Sequence, residues 1–264
     1  MRPVILCFSG LDPSGGAGLQ ADIETIAALG AHAAVVCTAL TLQDSQQVYG
    51  FETVAPALIQ QQAEIILTDL PIAAIKLGML GSEAITNVIA ALLRQHPHIP
   101  VVLDPVLAAN SGGNLASDDL AQGLRRLFPL TTVITPNSVE ARRLTGTENL
   151  STAVENLFAQ GARNILLKGG HEPGTTILNQ LYNTKGLISE SHTPRLPGEF
   201  HGSGCTLAAA TAAGLAFGLP LRDAITNAEV FVAIALNNAD RPHATGQLLP
   251  RRILPARLLP DAAC

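Results

Sequence analysis

Pro3-Val4-Ile5-Leu6-Cys7-Phe8-Ser9-Gly10-Leu11-Asp12-Pro13-Ser14-Gly15-Gly16-Ala17-Gly18, continued by a helical pattern to Leu29, is the stretch whose reading decides the fold. An apolar run, a glycine-rich loop and a helix in that order open many ligand-binding α/β folds, because the loop brings backbone N–H groups to the carboxyl end of a buried strand. The loop is not a Walker A motif: Gly10 and Gly15 have the right separation, but Gly16-Ala17 stand where Gly-Lys is needed. Nor is it G-x-G-x-x-G, since Ala21 fills the last position after Gly16 and Gly18. Between a tight packing turn and a substrate-binding loop, the second reading is preferred.

Working outward, strands and helices alternate. Ala33–Leu40 reads as a second strand with Gln43, Asp44 and Ser45 at its polar end, and Ala73–Leu77, Pro100–Leu103, Thr132–Thr135 and Ile165–Leu167 read as further strands. Helical spacing covers about Ala57–Leu67, Glu83–Arg94, Asp118–Phe128 and Ser151–Gln160, and Ser111-Gly112-Gly113-Asn114 reads as a loop. Residues 176–182 and 187–192, separated by Asn183-Thr184-Lys185-Gly186, predict an antiparallel hairpin rather than another βα unit. Two helices follow, a small-residue one over Leu207–Phe217 and an amphipathic one over Leu221–Ala239. Leu-Pro steps beginning at 249, 254 and 259 predict an extended, weakly ordered tail over 241–264. No repeat or linker divides the chain, so the expectation is one domain over 1–264, a mostly parallel sheet with helices on both faces and a small hairpin.

The 264 residues are 47% hydrophobic and 14% charged, which excludes disorder, and a net charge of -5 speaks against a general nucleic-acid or anionic-membrane partner. The opening residues reach Gly10 and Asp12 before a signal peptide's apolar region is complete, and no uncharged apolar run has the length of a membrane span. The four cysteines, Cys7, Cys37, Cys205 and Cys264, form no C-x-x-C pair, so no zinc site or disulfide framework is indicated and a cytoplasmic location is expected.

Chemistry concentrates at His201-Gly202-Ser203-Gly204-Cys205-Thr206. Its glycines let N–H groups converge at a helix start, which makes an anion site, and the same field would favour a thiolate at Cys205. Asp104 stands at a strand's carboxyl end. Asn137 and Glu140, three apart, fit a helix cap as well as a ligand role. Lys168, before Gly169-Gly170-His171, is either a phosphate-neutralising charge or an exposed strand terminus. The topology places Gln43, Asp104, Asn137, Lys168 and the 201–206 loop on one edge of the sheet. Carboxylates for Mg²⁺, a lysine and an anion cradle are what phosphoryl transfer requires, because its catalysis is mostly positioning and charge neutralisation.

The segments Asp12 to Asp22, Gly78-Met79-Leu80, Leu103-Asp104-Pro105-Val106, Thr135-Pro136-Asn137 with Glu140, Lys168 to His171 and His201 to Thr206 together resemble the hydroxymethylpyrimidine/phosphomethylpyrimidine kinase family of thiamine biosynthesis. The resemblance implies a ribokinase-like fold, homodimers, and ATP-dependent phosphorylation of 4-amino-5-hydroxymethyl-2-methylpyrimidine and then of its monophosphate. It implies that Gly10, Asp22, Gln43, Met79 and Val106 contact the pyrimidine, that Asp104 and Glu140 organise Mg²⁺, and that Asn137 and Lys168 hold phosphates. Gly202, Ser203, Gly204 and Cys205 would form the anion hole, with Cys205 beside the attacking hydroxyl. Phe200 replaces a common threonine, and the family's glycine-rich ending is missing from the tail. A pyridoxal kinase and a catalytically inactive pyrimidine sensor are the alternatives; the incomplete fingerprint near Gly16 disfavours a dinucleotide-dependent oxidoreductase.

Overall fold

The computed structural model describes residues 2–107 and 118–253. The loop expected at Ser111–Asn114, Cys264 and the Leu-Pro steps beginning at 254 and 259 lie outside the described residues.

Strand β1 (Val4–Leu11) is buried on both faces. Val4, Leu6 and Phe8 enter one hydrophobic cluster while Ile5 and Cys7 enter another, as the period-two geometry of a strand between two helical layers demands. Around it lie α1 (Gly18–Ala28), β2 (His32–Gln43), β3 (Val48–Thr53), α2 (Pro56–Asp69), β4 (Ile72–Leu77), α3 (Glu83–Gln95), β5 (Val101–Leu103), α4 (Asp118–Leu127) and β6 (Val133–Ile134). The chain continues through α5 (Ser138–Thr145), α6 (Leu150–Ala159), β7 (Asn164–Lys168), β8 (Thr176–Asn183), β9 (Gly186–Pro194), α7 (Ser203–Ala216) and α8 (Leu221–Asn237). The nine strands form one sheet in the order β3-β2-β1-β4-β5-β6-β7-β8-β9. From β2 to β7 every pairing is parallel, and β3, β8 and β9 add on antiparallel.

The expected α/β class, parallel sheet and hairpin are thus present, but β3 was not foreseen. Val48, Tyr49 and Phe51 carry the strand signal, yet Gly50 interrupts it and Tyr49 is 65% exposed, so no alternating core face marks the segment. Its partner β2 runs on to Gln43 rather than stopping at Leu40, and Asp44 closes the turn by accepting from the N–H groups of Gln46 and Gln47.

The strand order reverses at β1, whose neighbours are β2 and β4, and open α/β sheets bind ligands at such a reversal, beyond the strands' carboxyl ends. Helix α7 starts at Ser203, earlier than its apolar run suggests, and brings its N-terminus there. Its buried face is built from Ala208, Ala209, Ala210, Ala212 and Ala213, which lets the helix lie close over β1, β4 and β5. The tail differs from expectation up to residue 253. Leu248 bridges Phe200, Leu249 exchanges two hydrogen bonds with Asp240, and Arg252 is buried. Proline blocks a helix here, but extended backbone pairs equally well with a neighbouring segment. Among the described residues no helix is long and apolar enough to cross a membrane.

Because Ala209 is fully buried in the cluster under α7, Ala209→Leu should cost about 1–3 kcal/mol by overpacking, read as a lower urea midpoint. An unchanged midpoint would show that α7 is not held tightly against the sheet.

Candidate active site

A cleft of about 240 Å³ opens at the carboxyl edge of the sheet. Of the residues expected to act there, Gly10, Gln43, Met79, Asp104, Val106, Asn137, Glu140, Lys168 and Gly202–Cys205 line it. Asp22 does not.

Two glycine-rich loops make one wall. Asp12 organises the first: its carboxylate accepts from Ser14 N (2.9 Å), Ser14 Oγ (2.8 Å) and Ala17 N (2.8 Å). The same carboxylate lies 2.7 Å from His201 Nε2, which opens the second loop. Burial would raise the Asp12 carboxyl, but the bonds from His201 and Ser14 outweigh it and hold the group below its ordinary value. Gln43 also reaches His201 Nε2, at 2.8 Å. The atom of Gln43 at that edge is Nε2, so the amide and the Asp12 carboxylate meet the same ring nitrogen. Gln43 therefore ties β2 to the loop as well as lining the cleft. Gly202 has φ +75°, and a Cβ there would collide with Gly16 O, so both the backbone conformation and the close approach require glycine.

Gly202 caps α7, and its carbonyl accepts from Thr206 N (2.9 Å) and Thr206 Oγ1 (2.8 Å). The first N–H groups of an α-helix have no intrahelical partner, so those of Ser203 and Gly204 are available at the cleft, where no acidic side chain occupies the first turn. A Cβ on Gly204 would stand 3.2 Å from Lys168 Nζ and 3.6 Å from Asp104 Oδ2, so cation and carboxylate face this turn. Lys168 Nζ is 2.8 Å from Asp104 Oδ1, which also accepts from Thr135 Oγ1 at 3.2 Å. Burial pulls the Lys168 ammonium down; Asp104 and Glu140 outweigh that and keep it charged.

Asn137 and Glu140 form a full capping box on α5, with Glu140 N donating to Asn137 Oδ1 at 2.9 Å and Asn137 N donating to Glu140 Oε2 at 2.8 Å. Capping and a ligand role coexist, since Glu140 Oε1 is not used by the box. Burial pushes the Glu140 carboxyl up to about 7; Lys168 opposes this and the Asp104 charge adds to it.

Elsewhere in the cleft Gly10 faces the Met79 sulfur, where a Cβ would come within 3.1 Å, and Met79 packs with Ala39, Val106, Val48 and Phe51. Asp22, expected in contact with the ring, instead lies fully buried below, its carboxylate 2.8–2.9 Å from Lys76 Nζ. Lys76 is also fully buried, and Asp22, Cys205 and Asp104 raise its ammonium above its ordinary value against the pull of burial. The two charges need each other: removing one partner of a buried pair typically costs about 3–5 kcal/mol. The thiolate expected at Cys205 is not favoured. Burial raises the thiol, and although Lys76 and the Gly18 backbone lower it, Asp104 and Asp22 add to the rise.

Sequence reading passed over Lys76 and Arg252. A charge in the middle of the apolar run Ala73–Leu77 was a usable signal, because an unpaired lysine there would be prohibitive. Nothing local marked Arg252, whose partners lie in distant segments.

The family model described as phosphomethylpyrimidine kinase matches residues 12–248. The chain is 39% identical, over 90% of its length, to the thiamine biosynthesis bifunctional protein ThiED of Geobacter sulfurreducens, of which it spans 50%. It is 36% identical, over 91% of its length and 93% of the relative's, to the hydroxymethylpyrimidine/phosphomethylpyrimidine kinase of Rhizobium meliloti. Among solved structures, the pyridoxal kinase of Staphylococcus aureus in complex with pyridoxal superposes with a TM-score of 0.86 at 28% identity, covering 96% of this chain and 94% of that one. The phosphomethylpyrimidine kinase of Clostridium difficile does so with a TM-score of 0.76 at 30% identity, covering 89% and 100%.

The raised carboxyl of Glu140 makes a pH prediction. A folded-state value of about 7 against an ordinary 4.5 means that ionisation opposes folding, so stability falls as pH rises through that interval. Glu140→Gln should therefore melt above the wild type at about pH 8 and close to it at about pH 4.5, without metal. A variant less stable at both pH values would show that the carboxylate is satisfied as it stands.

Proposed function

The chain belongs to the phosphomethylpyrimidine kinase family, and on that footing we propose that it transfers the γ-phosphoryl group of ATP to 4-amino-5-hydroxymethyl-2-methylpyrimidine and then to its monophosphate, in thiamine biosynthesis. The observation that carries this reading is the α7 N-terminus with Lys168 and Asp104 facing its first turn, opposite an apolar recess at Gly10, Met79 and Val106. In this reading phosphate and ring take separate places in the one cleft, with Cys205 also in its lining.

In this reading the hydroxymethyl oxygen attacks the γ-phosphorus in line, the bond to the β-phosphate oxygen breaks so that ADP leaves, and the hydroxyl proton passes late to an oxygen of the transferred phosphoryl group and on to solvent. The amides of Gly202–Cys205 hold the equatorial oxygens, with the hydroxyl of Ser203 beside them. Lys168 and Asn137 steady the phosphates. The transition state of phosphoryl transfer is loose and asks little of a base, so a protonated Cys205 serves by positioning the acceptor hydroxyl rather than as a standing thiolate. Gln43 offers an amide edge to the ring. Asp22 acts from beneath, keeping Lys76 charged under the thiol.

Mg²⁺ fits the donors present. Magnesium takes one or two carboxylates with phosphates and water, and Asp104 Oδ2 and Glu140 Oε1 remain outside the ion pair and the capping box. Burial is the main cause of the raised Glu140 carboxyl, and the Asp104 charge adds to it. When bound, the ion would supply charge neutralisation for phosphate, with Asp104 and Glu140 holding it.

A cytoplasmic homodimer completes the proposal. Leu40, Leu42 and Tyr49 on the β2–β3 hairpin are 52%, 63% and 65% exposed, an apolar edge suited to a second copy. Sedimentation should give a dimer mass, and Leu42→Lys should shift it to monomer; a monomeric wild type would contradict this part. Likeness to pyridoxal kinases supports pyridoxal as a second acceptor.

The decisive experiment is a coupled assay of ATP consumption with hydroxymethylpyrimidine, its monophosphate and pyridoxal side by side. Turnover with the first two is expected, falling about 10²-fold or more in Cys205→Ala. Near-normal turnover of the variant would remove Cys205 from the chemistry. Inactivity of the wild type with all three acceptors would favour a pyrimidine-binding sensor.

A further inference from the structure

Arg252 lies far from the cleft in sequence, yet its side chain is only 1% exposed and ends between the two glycine-rich loops. Its guanidinium addresses three elements at once. Nη2 donates to Gly16 O, Nε donates to Thr206 Oγ1 at 2.8 Å, and Nη1 is 3.2 Å from Glu24 Oε2 on α1. Each contact bears on the anion site. Gly16 O is the atom that Gly202 approaches so closely that no Cβ fits between them. Thr206 Oγ1, accepting from Arg252, donates its own hydrogen bond to Gly202 O. The fork therefore grips the junction from both sides: Gly16 directly, Gly202 through one hydroxyl.

The segment that delivers this side chain is itself fixed. Leu248 O accepts from His201 N at 2.9 Å, Leu248 N donates to Glu199 O at 2.8 Å, and Arg251 N donates to Ala235 O at 3.0 Å. The backbone before and after Pro250 is thereby anchored to the entry of the second loop and to α8. Lysine could not substitute, because a point charge lacks the planar donors that meet a carbonyl, a hydroxyl and a carboxylate together.

We infer that Arg252 is a positioning residue of the phosphoryl-transfer site: it sets the separation of the Asp12–Gly18 loop from the α7 N-terminus, so that the amides of Ser203 and Gly204 sit where the transferring group needs them. The inference rests on the kinase reading for its consequence, but the geometry it describes exists in the free protein. Misplacement of about 1 Å in such a site costs on the order of 10²-fold in rate.

The test uses the full chain and compares wild type, Arg252→Ala, Arg252→Lys and Thr206→Val. In Arg252→Ala, kcat for hydroxymethylpyrimidine should fall by about 10²-fold while KM for the pyrimidine stays within about threefold. Guanidinium at millimolar concentration should restore part of kcat in Arg252→Ala only. Arg252→Lys and Thr206→Val should each lower kcat, and these two decide the matter if Arg252→Ala does not fold. Hydrogen exchange in the absence of ATP should show residues 12–18 and 202–206 losing protection together in Arg252→Ala, or in Thr206→Val in its stead. Unchanged kcat in the folded variants, or a lower melting temperature with both loops still protected, would overturn the inference. A wild type without turnover would instead overturn the kinase reading, leaving Arg252 to be judged by exchange alone.

Discussion

The contact between Gly16 and Gly202 is the constraint on which the site depends. Two loops nearly two hundred residues apart in sequence meet backbone to backbone, closer than any side chain permits. Backbone groups buried by such an approach need hydrogen-bond partners, and the protein supplies them. Asp12 takes up the N–H groups of the first loop and the ring of His201; Thr206 takes up the Gly202 carbonyl. What stays unspent is the first turn of α7, and it faces the cleft. Its anion affinity follows from what the rest of the junction has already satisfied.

Charge is arranged around that turn in layers. Lys168 with Asp104 stands beside it, and Lys76 with Asp22 lies fully buried below. Each pair neutralises itself, so a protein of net charge -5 can hold two cations near an anion site without exposing a basic patch. Burial decides the state of the remaining groups. It keeps the Cys205 thiol protonated despite Lys76, and it keeps Glu140 near its point of ionisation despite Lys168.

Legibility in the sequence followed the range of the interactions. Strand–loop–helix order, strand ends and the hairpin at 176–194 could be read because hydrophobic period and turn residues are local signals. Asp104 and Lys168 converge because parallel strands end at one edge, so topology alone located them. Strand β3 escaped because it packs little core, and Asp22 was misplaced because a motif position does not say which way a carboxylate turns. Lys76 selects that direction by offering an ion pair beneath the cleft. The tail was read from its prolines as loose, whereas Arg252 is held by an atom of Gly16 that no local pattern announces.

On the proposed function, the α7 N-terminus receives the transferring group while the recess at Gly10, Met79 and Val106 receives the acceptor. A crystal structure with hydroxymethylpyrimidine and a non-hydrolysable ATP analogue tests it most directly. The γ-phosphate is expected on the amides of Gly202–Cys205, the hydroxymethyl oxygen between that phosphorus and the Cys205 sulfur, and Arg252 still on Gly16. A γ-phosphate bound away from α7, or a pyrimidine ring outside the recess with its hydroxymethyl group turned from Cys205, would contradict it.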